Sequence, residues 1–280
     1  FIDAYQVNLA AVQANERYLA DADASALYEF GYYTHNIHSA LTSAQMAGDA
    51  EAALQMAEKL DARMPTEMVR LAPWVQAIKV APYFAYVQFA PAKWLLALPD
   101  PGDEWPYLQA MWRYARGEAL ARRGDEQAAY AEAVRIETLA AHPAMQQLEA
   151  ELMPAPTLVR IAADVVRARA ELHSGKLKKA ISRLEIAAAL QDGMYYSEPS
   201  YWYFPVRQML GAALLLDGQV HRAESVFVRA LVDAPNNAWA LYGLREAHRA
   251  MGDEDAGRYA DALFQRAWVG DPNTLDLKTL

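Results

Sequence analysis

The 280-residue sequence contains no cysteine. Disulfides, thiol catalysis and cysteine-ligated zinc are therefore excluded. Basic residues are in the minority, with 26 Lys and Arg against 35 Asp and Glu and a formal charge of −9. A phosphate-binding surface shows the opposite balance, so a nucleic-acid partner is disfavoured. No apolar run approaches the ~18 residues of a membrane span. Runs of Val, Ile and Thr are scarce while alanine is frequent, which favours helix over strand. The phosphate-binding, dinucleotide-binding, nucleophile-elbow and H-E-x-x-H motifs are all missing. Serines are few and none sits beside a plausible catalytic base, so no known catalytic mechanism is legible and the expectation leans away from an enzyme.

What is present is a globular composition, 54% hydrophobic and 22% charged, organised as a repeat. The clearest unit is residues 204–237, FPVRQMLGAALLLDGQVHRAESVFVRALVDAPNN, 34 residues long. Leu210, Gly211 and Leu214 fall on a first helix, Gly218 on a turn, and Ala223, Phe227 and Ala230 on a second helix that Pro235 ends. Small residues suit positions where helices cross closely, and larger apolar ones fill the space between units. Turn glycines recur at Gly48, Gly124, Gly175, Gly218 and Gly252, where a left-handed cap reverses the chain. The intervals between them are 76, 51, 43 and 34 residues. A degenerate unit with its turn at Ala90-Pro91 splits the longest. Pro-rich inserts lie near residues 100, 150 and 200.

This unit resembles the tetratricopeptide repeat. The expectation is an all-α fold, a right-handed α-solenoid of antiparallel helix pairs at irregular spacing. It forms one domain over residues 1–280, with the clearest repeats at 34–65, 110–143, 161–192, 204–237 and 238–270. The opening segment, FIDAYQVNLAAVQANERYLADAD, reads as the second helix of a pair whose first helix lies upstream, so the chain is expected to be the C-terminal part of something longer.

In the family resembled, the first helix of each pair lines a concave groove. Its register places His35, His38, Thr42 and Gln45 there, followed by Met111, Tyr114 and Glu118, then Arg169, then Trp239, Tyr242, Glu246 and Arg249. His35 and His38 share a helix face, and two imidazoles at that spacing can contribute to a divalent transition-metal site or hold a polar ligand. They can equally be ordinary groove histidines. A second cluster, SEPSYWYFPVR at 197–207, brings Glu198, Trp202 and Arg207 together just before a first helix. It reads as a ligand wall or as packing between units, with Glu198 the candidate partner of Arg207. Arg116, Arg122 and Arg123 read as a solvated helix face.

Longer stretches extend the resemblance. GYYTHNIHSALTSAQMAGDAEAALQMAEKL, ELMPAP, WPYLQAMWRYARGEALARRGD, EPSYWYFPVRQMLGAALLLDG and the tail from Trp268 to Leu280 are similar to a bacterial group of tetratricopeptide proteins without an established activity. The group carries H-N-x-H where His35, Asn36 and His38 stand, and further H-M-P-[SA]-H motifs upstream of the residues present here. The resemblance implies a metal or polar-ligand site to which His35 and His38 contribute, and a bacterial cytoplasm or periplasm.

Two functional expectations follow. The first is a scaffold that binds a peptide or partner protein in its groove through Tyr114, Glu118, Arg169, Glu198, Trp202, Arg207, Trp239, Tyr242 and Arg249. The alternative is a metal- or small-molecule-binding protein, with catalysis left open, that uses His35 and His38. Membership of a larger assembly is compatible with either.

Overall fold

The computed structural model describes residues 1–21, 25, 27–66, 69–70 and 72–280, with only the backbone of Leu27. Ala22 and Asp23, the end of the expected first helix, lie outside the described residues. Among the described residues there is no strand, and the chain is all-helical.

The helices are α1 (Ile2–Asp21), α2 (Thr34–Ala47), α3 (Ala50–Arg63), α4 (Gln76–Lys79), α5 (Ala81–Phe89), α6 (Ala92–Leu96), α7 (Pro106–Arg122), α8 (Glu126–Leu139), α9 (Pro143–Ala150), α10 (Ala155–His173), α11 (Leu177–Asp192), α12 (Val206–Leu216), α13 (Val220–Asp233), α14 (Ala238–Met251) and α15 (Glu254–Ala267). A π-helical turn over Leu27–Tyr33 leads into α2. Successive helices pack on one another as hairpins: α2 with α3, α7 with α8, α10 with α11, α12 with α13 and α14 with α15.

Each hairpin is set by its turn. All five expected turn glycines have φ between 73° and 78°, where a Cβ is strained. In three of the turns the following aspartate caps the next helix, Asp49, Asp125 and Asp253 accepting from the backbone N–H of Ala52, Ala128 and Ala256. That satisfies one of the free donors at the helix start. Lys176 and Gln219 occupy the same place without a side-chain cap.

The packing follows the small-and-large pattern of the repeat. Phe227 is fully buried between two first helices. A Cβ at Gly211 would lie 2.6 Å from its ring, and Gly243 on the next unit is pressed against the same ring. Burying such a side chain contributes about 1.5–3 kcal/mol.

The array curls until α14 reaches α2. The Trp239 indole N–H donates to the Gln45 carbonyl at 3.0 Å, across 194 residues. The segment after α15 then folds back: Val269 N–H donates to the Ala47 carbonyl at 2.8 Å, and Trp268 packs edge-on against Trp239 at 5.0 Å.

Candidate functional site

The face built by the first helices is occupied by the chain's own C-terminal segment. The Tyr242 hydroxyl donates to the Leu275 carbonyl at 3.2 Å. Arg169 donates to the carbonyls of Lys278 at 2.7 Å and Leu280 at 3.3 Å, while its Nε holds Glu118 at 3.0 Å. Leu280 is fully buried. These are contacts to main-chain oxygens and to an apolar anchor, which hold a turn-containing segment with little dependence on its sequence.

Tyr114, Glu118, Arg169, Trp239 and Tyr242 are thus brought to one face, and all five are buried, with Glu118 only 1% exposed. Arg249 is exposed near the C-terminal end of α14 and pairs with Glu246 at 2.9 Å. Trp202 is buried in the core, edge-on to Phe84 and Tyr114, and fills space rather than presenting a free ring. Arg207 pairs with Asp192 and stands 3.8 Å from Asp233. Glu198, its expected partner, instead accepts from the exposed Tyr196 hydroxyl at 2.7 Å.

The two segments singled out in the sequence meet. His38 Nε2 lies 2.9 Å from the Tyr203 hydroxyl, and that hydroxyl donates to the Ala77 carbonyl at 2.8 Å. A hydroxyl has one hydrogen, so Tyr203 accepts from His38, whose Nε2 carries the proton. Burial, and secondarily His35, pushes His38 down to about 3, so it is neutral around pH 7. Burial likewise pushes Tyr203 well up, beside Tyr107 and Tyr201. Its neighbour His35 is exposed. With Nε2 committed to Tyr203, the two rings do not act as an equivalent pair. Among the described residues, no three His, Cys, Asp or Glu side chains are grouped so as to hold a metal ion.

His35 does face a cavity of about 650 Å³ between α2 and the 196–205 segment. On the α2 side the lining is one helical stripe, His35, Ser39, Thr42, Ser43 and Met46; Glu198 and Ser200 stand in the opposite wall. Ser43 is buried to 7% exposure and lines this space. Lys and Arg side chains contribute nothing to this lining.

Sequence reasoning missed Arg122. Its sequence context reads as a solvated face, but its Nε and Nη2 are buried without a partner among the described residues. The i, i+4 spacing of Glu118 and Arg122 on α7 was a signal that could have placed it on the inner face. No helix among the described residues is long and apolar enough to cross a membrane. No family model, curated protein or solved structure matches this chain.

Proposed function

We propose that this chain is a tetratricopeptide-type solenoid that binds a peptide, or a segment of a partner protein, on the face built by its first helices. The observation that carries this reading is the seating of residues 271–280 on that face. Tyr242 and Arg169 capture main-chain carbonyls, and Leu280 is buried as an apolar anchor. A surface that holds its own irregular, turn-containing segment through backbone groups can hold another of similar form. The test is a chain shortened after Gly270, titrated with a labelled peptide of residues 271–280 and followed by fluorescence anisotropy. Saturable binding, competed by unlabelled peptide, is the expected result. No binding to a shortened chain that keeps its helical circular dichroism would exclude the reading.

A second reading is supported by the cavity at His35. Its hydroxyl-lined stripe and the buried Ser43 suit a small polar ligand; the narrower reading, a metal held by His35 and His38, rests on their spacing, since His38 is engaged by Tyr203 and stands outside the cavity's lining. Elemental analysis of wild type and of the His35→Ala/His38→Ala double variant tests the metal form. Equal metal content in the two would remove it.

A further inference from the structure

Beneath residues 278–280 lies a small, partly open chamber of about 50 Å³, whose polar lining is Gln88, Tyr114, Glu118, Arg122 and Arg169 with Lys278 and Thr279 of the C-terminal segment over it. Room of that size accepts one small polyatomic ion or roughly three waters. Four buried polar atoms on its lining residues have no partner among the described residues: Nε and Nη2 of Arg122, Nε2 of Gln88 and Oε1 of Glu118. Three are donors and one is an acceptor.

The two Arg122 atoms form one edge of the guanidinium, the fork that receives two oxygens of an oxyanion side by side. The remaining nitrogen, Nη1, makes only a long contact of 3.4 Å to the Ala90 carbonyl. Among the described residues, no ion pair within 4.0 Å joins Arg122 to Glu118. Arg169 is already engaged by Glu118 and by the carbonyls of residues 278 and 280. Of the chamber's lining residues Arg122, Arg169 and Lys278 carry positive charge and only Glu118 negative charge, so the lining carries a positive excess. A buried charge without a partner is costly, so an anion is favoured there over bulk-like water. The unpartnered Glu118 oxygen adds a constraint, because it needs a donor and a fully deprotonated oxyanion has none.

We infer that this chamber binds a small oxyanion carrying one O–H, hydrogenphosphate or bicarbonate. Two of its oxygens sit on the Arg122 edge, a further oxygen accepts from the Gln88 amide, and its hydroxyl donates to Glu118 Oε1. The site is complete with the C-terminal segment in place, so it belongs to the state in which residues 278–280 cover the inner face.

The test is calorimetric titration of the full chain with inorganic phosphate, bicarbonate and sulfate at constant pH and ionic strength, with Tm followed in parallel. Saturable binding of phosphate or bicarbonate with a rise in Tm is expected. Sulfate, which has no hydroxyl to offer Glu118, should bind roughly 10-fold or more weakly. Arg122→Gln should abolish the response. Glu118→Gln, whose amide can donate, should close the gap between phosphate and sulfate. The inference is overturned if neither phosphate nor bicarbonate binds, which would leave the chamber to water, or if Arg122→Gln binds them as wild type does. Should Arg122→Gln fail to fold, the Glu118→Gln comparison decides, and an unchanged phosphate-to-sulfate ratio overturns the proposal.

Discussion

His38 donates its Nε2–H to the hydroxyl of Tyr203, 165 residues further along the chain, and Tyr203 passes its own hydrogen to the Ala77 carbonyl. Three segments are tied by two hydrogen bonds in a place where protonation of His38 has no room. Its folded-state value is about 3, against about 6.5 for an unfolded histidine.

The pH dependence has a definite sign. Between pH 6.5 and 3 the unfolded chain takes up a proton at His38 that the folded chain refuses, so stability falls as pH falls through that window. The slope from this group is at most ~1.4 kcal/mol per pH unit. Urea unfolding midpoints at pH 7 and pH 5 should differ in wild type, and His38→Gln should narrow the difference. An identical pH dependence in the variant would count against the assignment.

Tyr203→Phe removes the shared hydroxyl and leaves the His38 N–H and the Ala77 carbonyl without it. A loss of about 1–3 kcal/mol is expected, read from chemical unfolding, with helical content unchanged.

Arg169→Met leaves Glu118 as a buried unpaired carboxylate and frees the carbonyls of Lys278 and Leu280. Breaking a buried pair from one side typically costs about 3–5 kcal/mol. Hydrogen exchange should rise first at residues 271–280, before the helices exchange. Uniform protection across the segment in the variant would show that Arg169 does not hold it.

Gly211→Ala places a methyl group 2.6 Å from the Phe227 ring, and the ring has no free volume to move into because Gly243 presses on it too. Overpacking of this kind costs about 1–3 kcal/mol. Gly211→Ala/Phe227→Leu should recover part of the loss in Tm, since the smaller side chain clears the added methyl.

The hairpins were legible because their signals are local. A left-handed turn admits few residues but glycine, and Gly48, Gly124, Gly175, Gly218 and Gly252 all adopt it. The Ala90-Pro91 break was legible because proline cannot continue a helix and holds the residue before it extended, with α5 ending and α6 beginning there. The inner-face register placed Tyr114, Glu118, Arg169, Trp239 and Tyr242 together, since helical periodicity decides which side chains share a face. Arg249 follows the same register, yet near the open end of α14 nothing covers it. Arg207 took Asp192 rather than Glu198 because α11 ends beside it, a proximity across the 193–205 insert that sequence distance does not report. Arg122 looked like surface because an Ala-Arg alternation on one helix says nothing of what later folds over it.

By itself, the sequence determined the helical hairpins, their turns and the faces they present, because each depends on residues within a few positions of one another. Only the tertiary structure decided that α14 curls round to α2, that His38 meets Tyr203, and that residues 271–280 cover the inner face and roof a chamber over Arg122. Those outcomes depend on how small rotations between successive hairpins accumulate over the whole array. The variable lengths between turns made that sum unreadable from the chain alone.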